Sequence, residues 1–136
     1  SILATRMMQR GVAGVVTDGG FRDSPEIAAL DIPCYHNRPS APTNLTIHQA
    51  IELNGPIACG DVAVYPGDVI VGDGEGVIVI PLHMVDDIAG EATEMTAFED
   101  FVTERVKEGA GIIGLYPPTK DENKVAYAEW RTKHGR

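Results

Sequence analysis

The sequence is short of cysteine, of basic residues and of long apolar runs, and each shortage closes a class of function. Two cysteines, Cys34 and Cys59, both in apolar or strand-like surroundings, make neither a disulfide framework nor a zinc site. They read as buried free thiols in a reducing cytoplasm. Lys and Arg number 11 against 20 Asp and Glu, for a net charge of -9. That charge repels nucleic-acid phosphates and anionic membrane surfaces at long range, which leaves small molecules and proteins as the expected partners. No apolar run approaches the ~20 residues that span a bilayer, and no signal-peptide pattern precedes the first helix. The expectation is therefore a cytoplasmic protein with no nucleic-acid and no membrane partner. Internal repeats and low-complexity segments are absent. So is an initiator Met: Ser1 leads at once into an amphipathic stretch, as in a chain that begins mid-domain.

What is present fits one compact α/β domain with a real core: 136 residues, 43% of them hydrophobic, with 15 glycines. Ile2, Leu3, Met7 and Met8 fall on helical spacing over residues 2–10, with Ser1 as N-cap and Gly11 as the stop. Met7 and Met8 read as core-facing. A β-branched apolar run at 12–16 predicts a buried strand that ends in the loop Thr17-Asp18-Gly19-Gly20-Phe21-Arg22-Asp23-Ser24. In that loop the glycines allow a sharp turn or close approach to a ligand, and Arg22 beside Asp23 sets an anion clamp next to a hard oxygen ligand. Such a pair suits an anion bound to a metal; the same residues also make an ordinary turn.

Ser24-Pro25-Glu26 opens a short helix ending near Leu30, with Ser24 as cap. A strand is expected over 31–36, then a loop over 37–44 held out of helix by Pro39 and Pro42. His36 and Arg38 could share a pocket with Arg22; His36 and His48 read first as surface or structurally hydrogen-bonded histidines. Strands are expected at 45–53, 57–65, 68–72 and 77–80, between turns at Asn54-Gly55, Pro66-Gly67 and Asp73-Gly74-Glu75-Gly76. Asp68 and Asp73 read as turn formers ahead of metal ligands. Over 82–108 the period becomes helical, with Val85, Ile88, Ala89, Ala92, Met95, Phe101, Val102 and Val106 on one face and a solvated acidic run opposite, from which one carboxylate could reach a neighbour's site in an oligomer. Glycines break this helix at 109–114, Leu115-Tyr116-Pro117-Pro118 reads as a rigid extended link, and 119–134 as a terminal helix around Tyr127 and Trp130.

Taken in order, Ile2-Leu3-Ala4, the stretch from Gly14 to Asp23, the loop Ser40-Ala41-Pro42-Thr43-Asn44 and the run from Val64 to Pro81 resemble the RraA-like family, which includes the metal-dependent 4-hydroxy-4-methyl-2-oxoglutarate aldolases and was at times labelled demethylmenaquinone methyltransferase. The resemblance covers nearly all of residues 1–118 and makes residues 119–136 a C-terminal helical extension. It implies a swivelling β/β/α domain, incomplete at its N-terminal side, whose N-terminal part comes as a second chain, in a homotrimer or hexamer with sites between subunits. It also implies a metal-dependent lyase, of aldolase or decarboxylase type, acting on a 2-oxo acid through an enolate. In that pattern Arg22 meets the substrate's carboxylate or keto oxygen, Asp23 serves a Mg²⁺ or Mn²⁺ ion, and backbone N–H groups at Ile2 and Leu3 hold the substrate carboxylate.

Ser1 departs from the pattern, standing where the aldolases carry an acid that orients a water for proton transfer. As a terminal residue its α-amino group, with an ordinary pKa of about 7.7–8.0, suits proton transfer near neutrality, which makes Ser1 a catalytic candidate beside Arg22. The same departure supports a non-catalytic RraA-like regulator that kept its anion site. A third possibility is a self-cleaved hydrolase with Ser1 as N-terminal nucleophile.

Overall fold

The computed structural model describes residues 1–43, 46 and 48–136. These divide into two compact units, Ser1–Leu82 and His83–Arg136. Both helices and strands are present, in agreement with the α/β class.

The first unit opens with α1 (Ile2–Gln9), stopped where Gly11 takes φ 77°. Ala4 is buried and Met7 and Met8 are half-buried, but Ile2 and Leu3, expected on the same apolar face, stand exposed. The expected strand over 12–16 contracts to β1 (Val15–Val16), which runs parallel to β3 (Cys34–Tyr35). Val15 N–H donates to the Pro33 carbonyl, but Pro33 has no N–H to return, so the ladder cannot extend backwards.

Gly20 and Phe21 are not loop but a second short strand, β2 (Gly20–Phe21), parallel to β4 (Arg38–Pro39), which lies within the expected loop over 37–44. Helix α2 (Ser24–Ala28) makes the crossover between the two parallel pairs. Its N-cap residue is Asp23 rather than Ser24, and the helix stops short of Leu30.

The expected strand over 57–65 is instead a hairpin of β5 (Ile57–Cys59) and β6 (Val62–Val64). Gly60 at φ 57° and Asp61 at φ 63° supply the two left-handed positions of a two-residue hairpin turn, and Asp18 accepts the Gly60 N–H at 3.2 Å. A second hairpin pairs β7 (Val69–Gly72) with β8 (Val77–Ile80). The turn-forming role expected of two aspartates holds: Asp73 Oδ1 accepts from the Glu75 and Gly76 N–H groups, and Asp68 Oδ2 from Tyr65 N–H at 2.8 Å. No strand forms over 48–53, where Ile51 and Leu53 stand in solvent; the rest of the strand expected over 45–53 involves Leu45 and Ile47, which with Asn44 lie outside the described residues. Ile27, Ile32 and Ile80 join Ala4 among the buried side chains of this unit. Both cysteines are free, as expected, but half-buried rather than buried.

A 3₁₀ turn (Leu82–Met84) spans the division, and the second unit holds α3 (Val85–Lys107) and α4 (Asp121–His134). The inward face of α3 follows the periodic expectation in part: Phe101 is buried and Val85, Ile88 and Val102 are half-buried, whereas Met95 and Val106 are exposed and Ala97, off the expected face, is buried. Aromatic packing sets that face, since Phe98 and Phe101 stand against Tyr127 at centroid distances of 5.1 and 5.4 Å. The acidic run is solvated as expected except for the half-buried Glu104, and several of its members also find partners. Glu94 takes a two-pronged contact from Arg131, Glu104 accepts from the Trp130 indole, Glu99 from the Tyr116 hydroxyl, and Asp100 pairs with Arg136. Residues 115–118 form a turn and not an extended link, with Leu115 and Tyr116 N–H both donating to the Ile112 carbonyl and Leu115 buried.

A candidate anion and metal site at the start of the first helix

A cleft of about 530 Å³ opens where α1 begins, and Ser1, Ile2, Leu3, Arg22 and Asp23 all line it. Residues 1–3 and 22–23, far apart in the chain, are thus brought to one place. The short strand β2 ends at Phe21, and Arg22 and Asp23 follow directly, ahead of α2. Asp23 holds φ 63°, a left-handed conformation that Asp tolerates better than most residues. That turn of the backbone brings its carboxylate to the opening of α1, where Oδ2 accepts a hydrogen bond from the Ser1 nitrogen at 2.8 Å. Oδ1 lies 3.5 Å from Arg22 Nε.

The electrostatics follow from these neighbours. The hydrogen bond from the Ser1 nitrogen, opposed by burial and helped by the charges of that nitrogen and then of the Arg22 guanidinium, holds the Asp23 carboxyl below the usual carboxylate range. Asp23 is therefore ionised near neutrality. At the other side of the cleft, Ser1 is the N-cap residue of α1 but its side chain makes no capping bond. The first-turn N–H groups at Ile2 and Leu3 have no carbonyl a turn earlier in the helix and no capping oxygen, which leaves them as donors for an anion.

Asp23 gives one ionised oxygen donor, and among the described residues no group of three or more His, Cys, Asp or Glu converges on a point. That donor set does not suit zinc, which is held by several nitrogen or sulfur ligands, or calcium, which takes a cage of carboxylates. It fits Mg²⁺ or Mn²⁺, which keep waters and accept one carboxylate plus oxygen atoms of a substrate.

His36 and Arg38 do not line this cleft. His36 stacks on Phe21 at 4.8 Å and its Nδ1 donates to the Arg38 carbonyl at 2.7 Å, the structural role expected of it. His48 is exposed. Gly20 approaches protein rather than ligand: a Cβ there would lie 2.6 Å from Ser40 Cβ and 2.9 Å from the Arg38 oxygen. Sequence reasoning missed Cys34, which lines the cleft opposite Val15 in the parallel pair. Only that pairing register, invisible in either segment alone, brings it there.

The model of the RraA-like family, described as Aldolase/RraA, matches residues 1–79. A protein of Methanocaldococcus jannaschii, itself uncharacterized, is 37% identical over 102 residues, covering 74% of this chain and 48% of its own. A protein of Halalkalibacterium halodurans named as a putative 4-hydroxy-4-methyl-2-oxoglutarate aldolase is 33% identical over 108 residues, 78% of this chain and 50% of its own. Among solved structures, an uncharacterized protein of Pseudomonas syringae superimposes with a TM-score of 0.79 over 85% of this chain and 57% of that one; at 21% identity the likeness is one of fold. Streptomyces coelicolor RraAS2, described as an unusual member of the RNase ES inhibitor RraA protein family, superimposes with a TM-score of 0.59 at 29% identity over 74% of this chain and 51% of that one. The chain spans about half the length of the curated relatives it matches. No helix among the described residues is long and apolar enough to cross a membrane. With the family model matching more than half of its residues, the chain belongs to the RraA-like family.

Proposed function

We propose that the cleft at the start of α1 is the site of a divalent-metal-dependent carbon–carbon lyase acting on a 2-oxo acid. One observation carries the reading: the opening of α1, with its uncapped N–H donors, meets the Arg22–Asp23 pair in one cleft, the Ser1 nitrogen 2.8 Å from Asp23 Oδ2. A helix start and a guanidinium bind a carboxylate and an adjacent carbonyl; an ionised carboxylate beside them holds a cation. The aldolase name carried by the Halalkalibacterium relative supports the same class. A swivelling β/β/α domain, assembled as a trimer or hexamer in the cytoplasm, goes with this reading.

For a 4-hydroxy-2-oxo acid each group has a separate task. The N–H groups of Ile2 and Leu3 hold the C1 carboxylate. Mg²⁺ or Mn²⁺, held by Asp23, would supply Lewis-acid polarisation of the C2 carbonyl when bound. Arg22 faces the same oxygen and stabilises the negative charge that grows on it. The C4 hydroxyl loses its proton, the C3–C4 bond breaks, and its electron pair passes into the C2–C3 enolate while C4 leaves as a carbonyl. Protonation at C3 then gives pyruvate. The proton lost at C4 equals the proton gained at C3, so no external reagent is consumed.

The test is pyruvate release from oxaloacetate and a panel of 4-hydroxy-2-oxo acids, read by a coupled dehydrogenase, with Mg²⁺ or Mn²⁺ and with chelator. Release that needs the metal and disappears in Asp23→Asn supports the lyase. No release from any substrate by folded, metal-loaded protein contradicts it. Serine at position 1 favours one second reading, a regulator that keeps the anion site without turnover, which predicts oxo-acid binding with no release.

A further inference from the structure

His36 does not line the cleft, yet it reaches the site through one intermediary. Phe21 lines the cleft and directly precedes Arg22, and the His36 ring is stacked on the Phe21 ring at 4.8 Å with 22° between the planes. The Nδ1 contact to the Arg38 carbonyl, at 2.7 Å, fixes the plane of the imidazole. Arg38 pairs with Gly20 across the two strands, and Ser40 N–H donates to the Phe21 carbonyl at 2.8 Å. The backbone of Phe21 is thus held by β4 and Ser40, and its ring by His36; both rings are half-buried. Arg22 and Asp23 depend on that support unequally. Asp23 has holds of its own, since its carbonyl accepts from Ile27 N–H at 3.0 Å and its carboxylate from the Ser1 nitrogen at 2.8 Å. Arg22 is exposed, and among the described residues its one ion pair is the 3.5 Å approach of Nε to Asp23 Oδ1. What aims its guanidinium is the strand end it leaves from.

We infer that, on the anion-site reading above, His36 is a positioning residue of the anion clamp. Stacked behind Phe21, it keeps that ring in the cleft wall and the end of β2 in place, so that Arg22 meets the carboxylate of an oxo acid already ordered. Ordering in advance raises affinity by removing a cost from binding. Such a brace acts on the anion and leaves a cation at Asp23, which has its own holds, nearly unaffected.

Titration calorimetry on the full chain tests this, first with Mn²⁺ alone and then with oxalate added to the Mn²⁺-loaded protein. His36→Ala is predicted to weaken oxalate about 3–10-fold, the worth of one aromatic pair, while Mn²⁺ affinity changes by less than about 2-fold. His36→Phe, which returns a ring to the stack, is predicted to recover the oxalate affinity. Phe21→Leu removes the other ring and is predicted to show the same selective loss, with little further cost when His36→Ala is added, because the two rings act as one unit. Parallel loss of Mn²⁺ and oxalate in His36→Ala would mark a merely structural role and overturn the assignment. Unchanged oxalate binding in His36→Ala, failure of His36→Phe to rescue, or fully additive losses would overturn it as well. If His36→Ala does not fold, Phe21→Leu decides through the same comparison of oxalate with Mn²⁺. No oxalate binding by the Mn²⁺-loaded unaltered chain overturns the anion-site reading itself, and the role of His36 with it.

Discussion

The Ser1 nitrogen and the Asp23 carboxylate meet at 2.8 Å, joining the first turn of α1 to a loop 22 residues further along. Asp23 does this from a left-handed backbone conformation, φ 63°, which separates two consequences of replacing it. Asn tolerates that conformation nearly as well as Asp, so Asp23→Asn keeps the melting temperature close to the parent while lowering metal-dependent turnover by about 100-fold or more. Asp23→Ala loses the same chemistry and in addition costs about 1–2 kcal/mol of stability, because Ala is strained at positive φ. Thermal melts run beside the pyruvate assay check both; equal melts for the two variants would contradict the backbone argument.

Gly20 is held by Arg38 of β4 and by Ser40 just beyond it. A Cβ there would stand 2.6 Å from Ser40 Cβ and 2.9 Å from the Arg38 carbonyl oxygen, and the second of these is backbone that cannot swing aside. Gly20→Ala is expected to destabilise by about 1–3 kcal/mol. Gly90, inside α3, has open space where a methyl group would stand, with nothing within 4 Å, and gives the opposite sign: Gly90→Ala stabilises by roughly 0.5–1 kcal/mol. Denaturant midpoints decide it, and two shifts of the same sign would contradict it.

Tyr116 donates to Glu99 Oε1 at 3.0 Å, and this hydrogen bond, with the glutamate's charge, pushes the phenol above its usual value near 10. A raised folded pKa means that the contribution is fully present below the unfolded pKa and is lost as pH rises through the folded one. Ultraviolet titration at the tyrosinate band should therefore find one tyrosine ionising late, and Glu99→Gln should bring it earlier. A titration unchanged by Glu99→Gln would contradict the pairing.

The Tyr127 hydroxyl is buried among Phe98, Phe101 and Trp130 with no hydrogen-bond partner among the described residues. Removing an unpaired buried hydroxyl takes away a desolvated polar atom and no bond, so Tyr127→Phe is expected to be neutral or stabilising by up to about 1 kcal/mol. A drop in melting temperature would mean that the hydroxyl has a partner in solution.

That the candidate residues lie together is more legible in the sequence than the sheet is. Residue types and the family resemblance together mark Ser1, Ile2, Leu3, Arg22 and Asp23, and the structure brings them to one cleft. Strand 77–80 matches residue for residue, because the turn ending at Gly76 opens a β-branched run and Pro81 closes it. Strand 57–65 does not: Gly60-Asp61 between the apolar triplets 57–59 and 62–64 is itself a two-residue hairpin signal, overlooked when the whole run is taken as one apolar strand. Periodicity puts Met95 on the inward face of α3 and leaves Phe98 off it, whereas ring packing against Tyr127 half-buries Phe98 and leaves Met95 exposed. Cys34 escapes notice in the sequence because its neighbours in the cleft come from other segments.

The central claim is that Asp23 holds a divalent ion and Arg22 an oxo-acid anion in one cleft. Water-proton relaxation of Mn²⁺ with oxalate, a mimic of the pyruvate enolate, tests it directly. The account predicts an enhancement on adding the protein that oxalate alters, that Asp23→Asn abolishes, and whose oxalate response Arg22→Met removes. An enhancement of the same size in Asp23→Asn, with the same oxalate response in Arg22→Met, would contradict it.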